Sequence, residues 1–152
     1  MQNQATAQEK IKKYFTVDSA NKMLPLVRSI ATDLVTKFRD LNDLRARLEV
    51  LQGSRREALT GPHREEVEAV ECDFDKIKAE LCALLEELRE LGVECKGPDG
   101  LVDFPAIVDD REVCLCWKVG ELEVKFWHET NAGFPGRRPL TQAMISDRED
   151  RA

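Results

Sequence analysis

Histidine, long apolar runs and surplus positive charge are what this sequence lacks, and each shortage removes a class of function. Nowhere do about 18 apolar residues run together, as a membrane-spanning helix requires. The opening MQNQATAQEKIKKYF has no apolar stretch of the length a signal peptide needs, so a cytoplasmic protein without a membrane partner is expected. A net charge of -6 argues against a general binder of nucleic acid or anionic lipid. There is no glycine-rich phosphate loop after a strand, no nucleophile elbow and no paired-histidine helix motif. Histidine occurs only at 63 and 128, and the five cysteines are odd in number and lack a staple-like spacing, so reduced thiols are expected.

What is present is a globular balance of 42% hydrophobic and 34% charged residues in a chain of 152, enough for one domain with a real core. Its expected extent is 14–140, with flexible tails at 1–13 and 141–152. Thr16 is placed to cap a helix, with Asp18 at its positive end. Pro25 predicts a break, giving a short helix at about 17–23 and a long one at about 25–52. In the long helix Val27, Leu34, Leu41 and Leu48 recur every seven residues, and Ile30, Ala31, Phe38, Leu44 and Leu51 widen the stripe enough to touch two neighbours. After turn residues between Gly53 and Pro62, a helix over about 62–91 repeats apolar residues at alternating spacings of three and four, from Val67 to Leu91. Gly92 ends it. The short connection implies an antiparallel, coiled-coil-like hairpin. Residues 62–91 carry ten acidic against four basic side chains and residues 25–52 four against five, so the acidic excess sits on the last helix. That excess reads as a solvated face or as a docking surface for a basic partner.

The segment LVDFPAIVDDREVCLCWKVGELEVKFWHE predicts a three-stranded antiparallel meander, with strands at about 101–108, 111–119 and 122–129. A two-residue turn at Asp109-Asp110 sets Ala106 against Val113 and Val102 against Trp117. A second at Gly120-Glu121 sets Trp117 against Val124, Leu115 against Phe126 and Val113 against His128. On that register the inner face holds Val102, Phe104, Ala106, Val113, Leu115, Trp117, Val119, Leu122, Val124 and Phe126, ending at His128. The outer face carries Pro105, Cys114 and Trp127 in one row, and Pro105 makes its strand an edge. Cys114 and Cys116 then lie opposite in face to His128, and His63 has no spacing partner, so no metal site and no cofactor are expected.

Three candidates rise above scaffold. The row of Pro105, Cys114 and Trp127 is an apolar island, either covered by another part of the chain or open to a partner. His128 beside Glu129 is either a proton carrier or a structural histidine at the rim of the core. The loop NAGFPGRRPL presents Arg137 and Arg138, which either bind a phosphate or carboxylate or pair with nearby carboxylates.

The string Gly100-Leu101-Val102-Asp103-Phe104-Pro105, followed by Leu115-Cys116-Trp117, Gly120-Glu121, Trp127-His128 and Gly133-Phe134 with Arg137, resembles the bacterial domain-of-unknown-function 2203 family. Phe15-Thr16 and the stretch from Ala20-Asn21 to Leu24-Pro25 are similar to that family's opening. Where the family has Asp-Gly, this chain has Asp109-Asp110. The resemblance implies a small bacterial cytosolic protein of helices and a β meander, and it carries over no activity and no catalytic residue. The sequence therefore points to an α+β protein-interaction or scaffold domain rather than an enzyme, with protein partners that include a second copy of itself through the first helix. The alternative is a small anionic ligand or enzymatic site at the sheet end around His128, Glu129, Arg137 and Arg138.

Overall fold

In the computed structural model, which describes residues 13–53 and 61–145, Thr16 and Ser19 open the first helix by exchanging hydrogen bonds. The Ser19 amide donates to Thr16 Oγ1 at 3.0 Å and the Thr16 amide to Ser19 Oγ at 2.9 Å, satisfying two amides that the first turn leaves without partners. Helix α1 then runs unbroken over Val17–Gly53, about 55 Å at ~1.5 Å per residue. The expected break at Pro25 does not occur. Its ring points to solvent, while Ala20, Leu24 and Val27 on either side form one buried stripe. Burial of such side chains is worth ~1.5–3 kcal/mol each, enough to offset the single backbone bond that proline removes.

Helix α2, Gly61–Glu90, returns antiparallel to α1. Three cross-helix contacts mark its course: Lys37 to Glu80, Arg47 to Glu66, and His63 Nε2 to the Leu51 carbonyl. It ends at Gly92, whose φ of 91° lets the Val93 amide bond back to the Leu88 carbonyl. The connection expected between Gly53 and Pro62 lies mostly outside the described residues, as do most of the two expected tails. Past Leu41 on α1 and before Phe74 on α2, no residue belongs to the cluster that joins helices to sheet. Val67 and Val70 are nevertheless buried there, so this end of the hairpin is a two-helix arm.

The sheet has five antiparallel strands in sequence order rather than three: β1 (Glu94–Cys95), β2 (Leu101–Val108), β3 (Arg111–Lys118), β4 (Phe126–Glu129) and β5 (Arg138–Pro139). The fold is thus α+β, two long helices with an antiparallel sheet. The β2–β3 register is the expected one, with Val102 opposite Trp117 and Ala106 opposite Val113. Asp109 and Asp110 turn it with φ of 54° and 60°. Beyond the end of β1, the open side of β2 is met by the Phe15 amide, which donates to the Pro105 carbonyl at 2.7 Å.

The β3–β4 register is not the expected one. Leu115 faces Trp127, Cys114 faces His128 and Cys116 faces Phe126, one residue away from what a two-residue turn at Gly120-Glu121 imposes. A one-residue slip exchanges faces along the whole strand. Trp127 therefore enters the core, whereas Phe126 and His128 move to the outer face. Leu122, expected inside, is 85% exposed. The cause lies in segment 119–125, which is not a tight turn but an irregular loop fastened by side chains. Trp117 Nε1 donates to the Glu121 carbonyl, the Lys118 amide to Glu121 Oε1, Arg28 to the Leu122 carbonyl, and the Val124 amide to Asn21 Oδ1.

After β5 the chain forms a helical turn over 142–145, capped by Thr141 Oγ1, which sets Leu140 and Met144 against the core. No helix among the described residues is long and apolar enough to cross a membrane.

Candidate functional site on the outer face of the sheet

The inner face of β2, β3 and β4 is committed to the helices through Phe104, Val113, Leu115, Trp117 and Trp127. Chemistry is left to the outer face. Its rows follow from the register: Asp103, Cys116, Phe126 and Pro139 in one, and Pro105, Cys114 and His128 in the next. The apolar island expected around Trp127 does not exist, because the position opposite Cys114 is occupied by His128. Trp127 is 8% exposed, with Arg111 and Arg138 over its ring at 6.0 and 5.3 Å. The separation of the cysteines from His128, on which the expectation of no metal site rested, is overturned by the same slip.

Asp103 and His128 are 4% and 1% exposed, the two buried polar side chains among the described residues. His128 Nε2 lies 3.0 Å from Asp103 Oδ1, and Nδ1 lies 2.6 Å from the Glu129 carbonyl. Both neighbours are acceptors when Asp103 is ionised. The carbonyl requires a hydrogen on Nδ1, so the contact between Nε2 and Asp103 is held by a proton that one of the two carries. A ring nitrogen of His128, a carboxylate oxygen of Asp103 and the Cys114 sulfur lie within 4.8 Å of one another. With Nδ1 and Nε2 both engaged, the ring has no nitrogen left to take a proton from a thiol, which speaks against a cysteine nucleophile activated by histidine.

Arg137 closes the other row. The 3-10 turn Phe134–Gly136 delivers it in extended backbone conformation, and its guanidinium stacks on Phe126 at 4.0 Å and Phe134 at 5.0 Å. Nη1 and Nη2 each donate to one oxygen of Glu121 at 2.6 Å, and Nη2 reaches the Cys116 carbonyl at 3.4 Å. Burial pushes the Glu121 carboxyl up, but the Arg137 bonds and the Lys118 amide outweigh it and hold it below the usual carboxylate range. Burial pushes the Cys116 thiol up to about 11, so it is a neutral, inert thiol at physiological pH.

The anionic site expected around His128, Glu129, Arg137 and Arg138 is thus brought together only in part. His128 and Arg137 share the outer face, but one is paired with Asp103 and the other with Glu121. Arg138 lies over the Trp127 ring instead, and the Glu129 carboxylate accepts from Arg111 at 2.9 Å. Clefts of about 240 and 590 Å³ open beside the start of α1, and neither is lined by His128 or Arg137. Asp103, Cys116 and Glu121 were not singled out from the sequence as site residues. The signal for them was there, since all three stand in the motifs that carry the family resemblance, and the fold gathers them with His128 and Arg137 on one face.

No curated protein and no solved structure matches this chain. A family model does match, over residues 13–140, a span that takes in both helices, all five strands and every residue of the outer-face cluster. The chain belongs to the family described as uncharacterized conserved protein (DUF2203).

Proposed function

We propose that this chain is a cytoplasmic protein-interaction module, and that its two-helix arm is the docking element, taking a basic amphipathic helix of a partner protein. One observation carries the reading: the hairpin outruns the core beneath it. At the root of the arm a cleft of about 520 Å³ opens between the helices, with half-buried Leu44 and Ile77 among its lining. Asp40, Asp43, Asp73 and Glu80 surround it against Lys37 and Lys76. Lys37 and Glu80 neutralise each other at 2.7 Å, which leaves three aspartates against one lysine facing outward. An apolar floor with an acidic rim fits a helix that presents leucines on one face and lysines beside them.

The reading of a small anionic ligand or enzyme at the sheet end has less support, because Arg137 is already paired with Glu121 and His128 is already engaged by Asp103. The test is fluorescence anisotropy with a labelled helical peptide of leucine and lysine in heptads, read over a salt series, beside sedimentation of the protein alone. Asp43→Lys with Asp73→Lys is expected to weaken peptide binding at least about tenfold and to remove most of its salt dependence. Unchanged binding rejects the arm as the docking element. Concentration-dependent dimers that those substitutions abolish, with no peptide bound by the wild type, make a second copy the occupant instead.

A further inference from the structure

We propose that Asp103, Cys114 and His128 form a binding site for one divalent transition-metal ion of the zinc class on the outer face of the sheet. The site goes beyond the interaction reading and is independent of the arm. Each residue comes from a different strand, β2, β3 and β4, so the ligands are held by the sheet's own ladder rather than by a loop. Their donor atoms lie within 4.8 Å of one another.

The tautomer of His128 independently favours a metal ligand. The Glu129 carbonyl fixes the hydrogen of His128 on Nδ1, which turns the lone pair of Nε2 towards a carboxylate oxygen 3.0 Å away. At that distance a proton bridges the two atoms, and a metal ion that binds there takes the proton's place. An Nδ1–H held by a backbone carbonyl is also how metal-binding histidines are commonly oriented, because it fixes the tautomer that offers Nε2. A cysteine nucleophile relayed through histidine to aspartate needs the opposite arrangement, with aspartate on one nitrogen and sulfur on the other.

The donor set names the ion class. One thiolate, one imidazole and one carboxylate suit Zn²⁺ and its neighbours, whereas the sulfur disfavours Mg²⁺ and Ca²⁺. Bonds of ~2.0–2.3 Å from a common centre place tetrahedral ligand atoms about 3.3–3.7 Å apart. The Asp103–His128 pair therefore opens by a few tenths of an ångström and the widest pair closes by about one, within reach of side-chain rotation. Three protein ligands leave a fourth position for water.

The test uses the full chain purified with chelator and titrated with Co²⁺, whose bond to a thiolate gives a near-ultraviolet charge-transfer band. One Co²⁺ per chain with that band is expected, displaced by Zn²⁺. Cys114→Ser is expected to lose the band, and His128→Gln to weaken Zn²⁺ at least about 100-fold against a chromophoric competitor. Should either variant fail to fold by circular dichroism, mass spectrometry of the wild type decides: Zn²⁺ must protect Cys114 from iodoacetamide while Cys72 and Cys82, exposed on α2, stay reactive. No stoichiometric Co²⁺ on the wild type, a band that survives Cys114→Ser, or Cys114 alkylated equally with and without Zn²⁺ overturns the site.

Discussion

His128 faces Cys114 across the β3–β4 ladder, and next to it Trp127 faces Leu115. Neighbouring residues on one strand are thereby assigned to opposite tasks, the indole to the core and the imidazole to the polar outer face. Trp127→Ala should consequently cost about 3–5 kcal/mol, as truncation of a packed core aromatic does. Chemical denaturation followed by circular dichroism reads this directly as a fall in midpoint. A loss below about 1 kcal/mol would place the ring at the surface.

Much of this fold is legible from periodicity. The heptads of Val67 to Leu91 and the seven-residue rows of α1 mark two helices, and the alternation of Val102 to Ala106 against Val113 to Trp117 sets a hairpin correctly to the residue. The misread features share one physical cause, that a local signal was outweighed by contacts distant in sequence. Pro25 is a helix breaker on its own, yet the stripe of Ala20, Leu24 and Val27 binds both halves of α1 to the sheet. Gly120-Glu121 is a good hairpin turn on its own, yet Glu121 is claimed by Arg137, sixteen residues away, and Val124 by Asn21, on the first helix. The outer-face site depends on that second contest, so it was legible only as motifs and not as geometry.

Asp110 sits in the left-handed region at φ 60°, directly after Asp109 at 54°. Two such residues suit the twist of the hairpin, but a side chain there costs roughly 1 kcal/mol that glycine avoids. Asp110→Gly is expected to stabilise the protein by about 0.5–1 kcal/mol, raising Tm by roughly 1–4 °C for a chain of this size. Differential scanning calorimetry checks it, and a lowered Tm would mean that the aspartate makes a compensating contact.

Gly100 presents the opposite case. Its φ is 85°, and a Cβ built on it overlaps Val119 Cγ2 and presses on Val35 Cγ2 at 3.0 Å. Gly100→Ala combines backbone strain with overpacking where β2 begins and α1 passes, and about 2–4 kcal/mol of destabilisation is expected. Gly53→Ala is the control: nothing lies within 4 Å of the new Cβ and no positive φ is required. Urea denaturation should separate the two variants by more than about 2 kcal/mol, and equal midpoints would contradict the close approach at Gly100.

Glu121 makes stability depend on acidity in a predictable direction. Its carboxyl is held below its ordinary value of 4.5 by Arg137 and the Lys118 amide against the opposing effect of burial. A group whose folded value lies below its unfolded one contributes stability that is fully present above the unfolded value and is lost as pH falls through the folded one. Glu121→Gln keeps the shape and removes the titrating charge. It should lower stability at pH ~7 by about 1–3 kcal/mol, the worth of hydrogen bonds to a charged partner. As pH falls below the ordinary value of 4.5, the wild type should lose stability more steeply than the variant, so that their denaturation midpoints converge on the acid side. Parallel curves on that side would show that the pairing of Glu121 with Arg137 does not couple to folding, and with it would go the account of the loop that sets the β3–β4 register.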